Sequence, residues 1–501
     1  MNNGVNSGVN SSVNSGVNRR EIVIDPVSRV EGHGRVTLML NKKGELDEAR
    51  LHIVEFRGFE RFVQGRPYWE APVIVQRLCG ICPVSHHLCA AKAIDEVVGL
   101  NDQTIPETAR VMRRLMHYGQ ILQSHALHFF YLAAPDLLLG RDVEVADRSI
   151  VGIVNANPEL AKRGILIRKF GQEIIRATAG KKIHGISAVP GGIHKNLGQA
   201  EISYFNDGVD VPSVSQVIDW CVDVLSVYKE FHFSNKTWVD SFLNQPMLSL
   251  SLVGEDGEMD LYHGRLRCVS PTGKRILDDV DYHDYVSLYG ERVVDWTYLK
   301  FPFLKSLGFP NGSMRVGPLA RVNVCDSIPT PRAQKELDEF RSVNGRYSQS
   351  TLNFHWARLI EMLFCAERIQ ELLSNPEISG SQLKASGKFT GSGIGFIEAP
   401  RGTLIHHYDV AESGEIQRCN LIVSTTHNNL AMNEAVGSVA RRLLPETDLK
   451  SARSQDRLMN AIESAIRAYD PCLSCATHAL GKMPLQIRVE QAGEVINEFT
   501  R

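Results

Sequence analysis

The apolar and polar positions change rhythm along the chain. "EIVI" (21–24), "GRVTLML" (34–40) and "EARLHIVEF" (48–56) are short β-rich runs, and the last two flank "NKKGEL", which predicts a hairpin turn. From Ala71 the spacing becomes that of a helix face. "APVIVQRLCGICPVSHHLCAAKAIDEVVG" predicts helical or turn-helical structure with local breaks at Pro72 and Pro83. "PETARVMRRLMHYGQILQSHALHFFYLAAPDLL" (106–138) predicts a long amphipathic helix. Further helical patterns cover 157–178, 213–241, 351–375 and 455–468, while 245–325 mixes strand-like pieces with turn residues. The expected class is α+β, predominantly α-helical, with a multi-helical core and antiparallel β pieces at the periphery. Residues 1–20 are set apart by an Asn/Ser/Gly-Val-Asn repeat. Its sparse valines bury too little surface to offset ordering entropy, so it reads as a disordered tail. No internal repeat of 20–50 residues is visible.

Composition narrows the class without naming a chemistry. At 501 residues, 43% hydrophobic and 22% charged, this is ordinary globular protein, longer than the roughly 250–300 residues over which one core usually grows. Fifty-five basic against 57 acidic residues leave a net charge of −2, so charge makes no case for nucleic acid or an anionic membrane. No uninterrupted apolar run predicts a transmembrane segment. The start of the chain has no apolar signal core, and ten cysteines are too few for a disulfide scaffold. The expected location is therefore the reducing cytoplasm.

Four of those cysteines form two Cys-x-x-Cys pairs, Cys79/Cys82 in "RLCGICPVSH" and Cys472/Cys475 in "DPCLSCATH". One such pair can be a redox dithiol, and two can make a zinc site, zinc being the commonest occupant on pattern alone. A zinc ribbon staples a small domain, however, whereas these pairs stand near opposite ends of the chain. Four thiolates suit a soft or borderline metal, and their sulfurs can bridge a second one. Arg77, His86, Asp470 and His478 lie beside them, more polar groups than a closed structural site needs and of the kind that orient ligands and move protons. Cys89, Cys221, Cys268, Cys325, Cys365 and Cys419 are scattered without iron–sulfur spacing and read as small buried hydrophobes. "GKFTGSGIGF" is glycine-rich but lacks the strand-to-helix context of a dinucleotide fingerprint.

"RVEGHG", "RGFE", "RLCGICPVSHH", "EAPRGTLIHHY" and "DPCLSCATH", in that order, resemble the large subunit of a nickel-iron hydrogenase. The resemblance runs from about Glu21 to Arg501. "VEFRGFE", "VSHHLCAAKA" and "CATHALG" are most similar to the soluble, bidirectional, NAD-reducing group. In that family four cysteines hold nickel, and two of them also bridge to an iron carrying CO and cyanide. By position, Cys79 and Cys472 match the terminal nickel ligands and Cys82 and Cys475 the bridging pair. His86 matches the histidine that hydrogen-bonds a bridging sulfur. Arg401 matches the arginine over the metals, with Asp136 and Asp470 as the carboxylates that hold it. Thr425 matches the partner of a cyanide, although Ser424 stands where the family often has proline. Glu31 matches the glutamate that carries protons from a terminal cysteine. Glu60, His478 and the Leu421 carbonyl match ligands of a magnesium ion.

The resemblance implies reversible heterolytic cleavage of H₂, with Cys472 accepting the proton and Glu31 passing it on. Arg401 is expected to act as an electrostatic and steric organiser, since a neutral guanidine is costly. No iron–sulfur cluster, flavin or NAD is expected in this chain. Electrons are expected to pass to a small subunit with an iron–sulfur cluster, then to diaphorase subunits with FMN, iron–sulfur clusters and NAD. A maturation chaperone and a C-terminal endopeptidase are also implied. The peptidase would cut after His478, leaving a catalytic body of 21–478 and releasing the extension 479–501, in which "LQIRV" and "EVINEF" predict a small hairpin around "EQAG". Alternatives remain: a coenzyme F420- or NADP-linked or membrane-bound uptake hydrogenase; a quinone-site subunit of complex I, which shares the fold but lacks the metal cysteines; and, from a different class, a structural zinc protein.

Overall fold

The computed structural model describes residues 20–140, 143–242, 246–477, 486–491 and 494–500. The repeat at residues 1–19 and His478 lie outside the described residues.

Helices form the centre. Glu107–Leu127 runs through a π-helical stretch, His128–Ala133, into Ala134–Leu138, so the helix expected over 106–138 is continuous but widened near its end. Pro158–Ala179 packs along it. The two backbones meet at glycines: a Cβ on Gly171 would lie 2.7 Å from the Gly119 carbonyl oxygen, and one on Gly119 would lie 2.6 Å from Ile174. Only glycine allows that approach. Asn353–Leu373 lies between Glu107–Leu127 and Val214–Ser234. It is buried around nearly its whole circumference, Trp356, Leu359 and Leu363 included, as a central core helix must be. Asn429–Leu443 and Ala452–Ala468 pack as a further pair.

Sheets sit around this core, as expected. Arg20–Ile24, Gly34–Leu40 and Leu46–Ile53 form an antiparallel meander. Ser392–Ala399, Gly402–Val410 and Ile416–Ile422 form a second. In the mixed region, Leu248–Val253, Arg265–Val269 and Arg275–Val280 are antiparallel, but Met314–Arg315 joins Leu248–Val253 in parallel. The strands Gln486–Gln491 and Glu494–Thr500 pair as the expected terminal hairpin.

The helix Pro83–Val97 is pressed against the strand Ser392–Ala399. A Cβ on Gly393 or Gly395 would collide with the carbonyl oxygens of Ala93 and Cys89. Gly393 and Gly395 of "GSGIGF" therefore serve helix–strand packing, and this contact brings the first cysteine pair under the second meander.

Candidate metal centre

The first cysteine pair is built locally. A 3₁₀ turn, Val75–Leu78, ends at Cys79, which is extended (φ −146°, ψ 146°). The chain then folds back so that the Ile81 and Cys82 N–H groups donate to Cys79 Sγ at 3.2 and 3.3 Å. Cys82 caps Pro83–Val97, and proline suits the first turn because its missing N–H has no intrahelical partner. The Ile81 carbonyl is fixed by Gln120 and Gln123, each donating at 2.8 Å.

The second pair is held almost wholly by distant segments. Cys472 caps a short helix, Leu473–Ala476. Its N–H donates to Thr425 Oγ1 at 2.9 Å, and the Leu473 N–H donates to the Glu31 carbonyl at 3.0 Å. Glu31 Oε2 accepts from the Ser474 N–H and from Cys472 Sγ, both at 3.1 Å. Gly32 has φ +83°, and a Cβ there would lie 2.8 Å from Leu473 Cβ and 2.9 Å from Ser474 N. Both the backbone angle and the space demand glycine after Glu31. Downstream, the Thr477 carbonyl accepts from the Arg57 N–H at 2.9 Å.

The four sulfurs come within 4.8 Å of one another, the only such potential metal-binding group among the described residues. Cys472 Sγ lies 2.7 Å from Cys475 Sγ and 3.4 Å from Cys79 Sγ, and Cys82 Sγ lies 3.6 Å from Cys475 Sγ. All four side chains are buried. Hydrogen bonds from the Cys472, Cys475 and Cys82 thiols hold Cys79 well below the usual thiol range. Burial, then the neighbouring thiols, pushes Cys472 well above it, and burial does the same to Cys475. The protein thus favours charge on one sulfur and opposes it on two, so a set of four thiolates needs a bound cation. The donor chemistry fits a soft or borderline metal.

Beside the sulfurs is a small cavity of about 10 Å³, lined by Cys82, Cys472 and Cys475 together with Pro400, Leu404 and Val423. Ser85 Oγ and Arg401 Nη1 belong to residues of this lining and are buried with no hydrogen-bond partner among the described residues. A space this small, with apolar walls and two buried polar atoms, suits a small ligand that accepts a hydrogen bond. Ser85 was not singled out in the sequence, although it follows Cys82 at i+3 and so shares its helix face. Thr425 Oγ1 accepts the Cys472 N–H, which leaves its hydroxyl proton to donate, while Ser424 lines the cavity and donates to the Gly402 carbonyl at 2.7 Å.

Arg401 is held by Asp470 alone of its two expected carboxylates. Its Nε donates to the Asp470 carbonyl at 2.6 Å and its Nη2 to Asp470 Oδ1 at 3.1 Å. Asp470 is in the left-handed region, φ 52°, which turns its carbonyl and carboxylate to the same guanidinium. Burial opposes the charge on Arg401, but Asp470 and the cysteines outweigh it and keep the group firmly protonated. Asp136 does not join this pair. It lies beyond the π-helical stretch and ion-pairs with Arg29 Nη2 at 2.5 Å and Arg467 Nε at 2.8 Å. Both its oxygens are engaged there, and its assignment to Arg401 is corrected accordingly.

Behind Arg401 a row of buried charges continues inward. Glu361 Oε2 lies 2.9 Å from His125 Nε2 and 2.6 Å from Arg321 Nη1, and Arg321 Nε donates to Glu398 at 2.7 Å. Burial pushes Glu361 up to about 7, against the pull of Arg321 and Arg358. On the opposite flank, Glu60 Oε1 accepts from the Leu421 N–H at 2.8 Å. The expected magnesium ligands Glu60 and Leu421 are therefore neighbours, while His478 lies outside the described residues. His86 Nδ1 lies 3.1 Å from His406 Nε2.

A family profile described as "Nickel-dependent hydrogenase" matches residues 57–150 and 270–478, and one described as "HoxL-like" matches 21–56. The NAD-reducing hydrogenase HoxS subunit beta of Cupriavidus necator is 50% identical, covering 96% of this chain and all of that protein. One chain of the F420-non-reducing hydrogenase of Methanothermobacter thermautotrophicus is 40% identical, covering 92% of this chain and 95% of that one. The crystal structure of an NAD⁺-reducing [NiFe]-hydrogenase in the H₂-reduced state superposes with a TM-score of 0.87 at 51% identity, covering 94% of this chain and all of that one. With the buried four-sulfur cluster and a match over nearly the whole length, the chain belongs to the nickel-dependent hydrogenase large-subunit family.

Proposed function

We propose that this chain is the catalytic large subunit of an NAD-reducing nickel-iron hydrogenase, cleaving H₂ reversibly into protons and electrons. The observation that carries the reading is the meeting of two cysteine pairs from opposite ends of the chain, within 4.8 Å and buried, with a carboxylate on one sulfur. Cys79, Cys82, Cys472 and Cys475 would hold the nickel, with Cys82 and Cys475 also on the iron. When bound, that centre supplies adjacent metals that polarise H₂ and take up its electrons.

The chain's own part is to move the proton and exclude water. Cys472 Sγ is one hydrogen bond from Glu31 Oε2, so a proton leaving the sulfur has an acceptor at 3.1 Å. Glu31 also takes the Ser474 N–H, which fixes its carboxylate beside the sulfur instead of leaving it to solvent. Arg401, kept charged by Asp470, stabilises negative charge over the cavity without itself acting as base. His86 would donate to a bridging sulfur, and Thr425 would position Cys472. Glu60, Leu421 and His478 would hold a magnesium ion at the end of the mature chain, and an endopeptidase would remove 479–501 to create that end.

Electrons would leave through a small iron–sulfur subunit, then through a flavin diaphorase module in the cytoplasm. No helix among the described residues is long and apolar enough to cross a membrane. The test is H₂-dependent reduction of NAD⁺ by the purified complex, beside reduction of an artificial dye. Both activities are expected. Dye reduction without NAD⁺ reduction would overturn the acceptor, and absence of both in a nickel-loaded complex would overturn the reading.

A further inference from the structure

Three buried rings form a row that starts at the cavity. His86, His406 and Tyr408 are each exposed by 1% or less. His86 Nδ1 lies 3.1 Å from His406 Nε2, and His406 Nδ1 lies 2.8 Å from the Tyr408 hydroxyl. His86 comes from the helix Pro83–Val97 and reaches the cavity beside Cys82 and Cys475. His406 and Tyr408 stand two residues apart on the strand Gly402–Val410, hence on one face.

A neutral imidazole has one N–H and one bare nitrogen, so this row has two self-consistent polarities. In the first, the Tyr408 O–H donates to His406 Nδ1, His406 Nε2–H donates to His86 Nδ1, and His86 keeps its proton on Nε2. In the second, both bonds reverse and His86 offers a bare Nε2. Tyr408 decides between them. Burial keeps its proton on well above the ordinary phenol range, and His406 Nδ1 is the one hydrogen-bond partner of that hydroxyl among the described residues. Reversal would leave a buried O–H without an acceptor, which is costly in a dry site. Metal-bound thiolates accept hydrogen bonds and do not donate them, so they favour the same polarity.

We propose that Tyr408 and His406 are positioning residues that lock His86 in its Nε2–H tautomer, keeping a hydrogen-bond donor beside the sulfur cluster. The proposal rests on the hydrogenase reading, which makes those sulfurs metal-bound thiolates. Its test is the infrared spectrum of the purified, metal-loaded complex in the CO and cyanide stretching region. The wild type should give one set of bands. Tyr408→Phe, which removes one oxygen and little volume, should keep its nickel and iron but show shifted bands or a second set, as His86 samples both tautomers. Adding His406→Gln to Tyr408→Phe should restore one set, because the amide N–H₂ can donate to His86 without help from a phenol.

If Tyr408→Phe matches wild type while His86→Ala shifts the bands, the lock is wrong and the hydrogenase reading stands. If neither variant shifts them, His86 has no bond to the sulfurs and the proposal falls as well. If the wild-type complex carries nickel yet shows no such bands, the reading beneath the proposal fails. Nitrogen-15 spectra of histidine-labelled protein give a measurement independent of metal loading: a protonated Nε2 on His86 supports the lock, and a protonated Nδ1 overturns it.

Discussion

The two cysteine pairs carry the same Cys-x-x-Cys spacing but are built in opposite ways. Cys79 and Cys82 sit in a turn that folds its own N–H groups onto Cys79 Sγ, ahead of a 15-residue core helix. Cys472 caps only a four-residue helix that contains Cys475, and their anchors come from Glu31, Thr425, Arg401 and Arg57. Both pairs lie in one buried apolar cluster, but the first runs straight into a long helix, whereas the second is docked there by bonds from distant segments. A metal must join both, so the docked half is the one that can be set in place after loading, and the one whose loosening should release metal before it unfolds the protein.

The harshest way to break the comparison is Cys472→Ala. It should abolish nickel retention and all H₂ activity while the far-ultraviolet circular dichroism stays native, because the first pair and its helix remain. Glu31→Gln comes next. It should keep both metals but lower H₂ oxidation and hydrogen-isotope exchange by about 10²–10⁴-fold, the usual range for a lost proton-transfer group. Normal turnover would remove Glu31 from the proton path.

The halves should also differ in their response to pH. His87, on the helix of the first pair, donates through Nδ1 to the Pro72 carbonyl at 2.8 Å and accepts the Ala188 N–H at 3.0 Å. Burial lowers it from 6.5 to about 4. Its contribution is therefore fully present above pH 6.5 and is lost as pH falls through 4, a change of up to about 3 kcal/mol by linkage. Burial raises Asp470 in the second half, so its contribution runs the other way, present at low pH and lost as pH rises. Denaturant unfolding at pH 7 and 5 should show a clear loss in wild type and a flatter profile in His87→Gln. The smallest effects separate docking from core. Gly32→Ala should reduce metal content more than global stability, since it strains the docked loop. Gln123→Leu should cost about 1 kcal/mol of global stability with metal retained, because Gln120 still holds Ile81.

Much of this was legible from local pattern. The helices over 106–138, 157–178, 213–241, 351–375 and 455–468 announced themselves by periodicity, and the cysteine pairs by spacing and flanks, because both signals lie within a few residues. The helices Pro331–Asn344 and Asn429–Leu443 were not read. Asp136 was misplaced because its position was matched along a helix, where neither the π-helical widening nor the claims of Arg29 and Arg467 on its oxygens can be read. The row from Glu361 to Glu398 was hidden for a related reason. His125 and Glu361 stand 236 residues apart, and each looks like an ordinary charged position in its own helix. Ser85 is different: the i+3 spacing from Cys82 was available and points it at the same face. The glycines of "GSGIGF" carried a real signal, but their meaning depends on the helix that lies against them.

The central claim is that the four sulfurs hold nickel and iron together, and the most direct measurement is elemental analysis of the purified complex. About one nickel and one iron per chain, beyond the iron of any iron–sulfur partner, is the predicted result, with both lost in Cys472→Ala. Zinc alone at the four cysteines would contradict it.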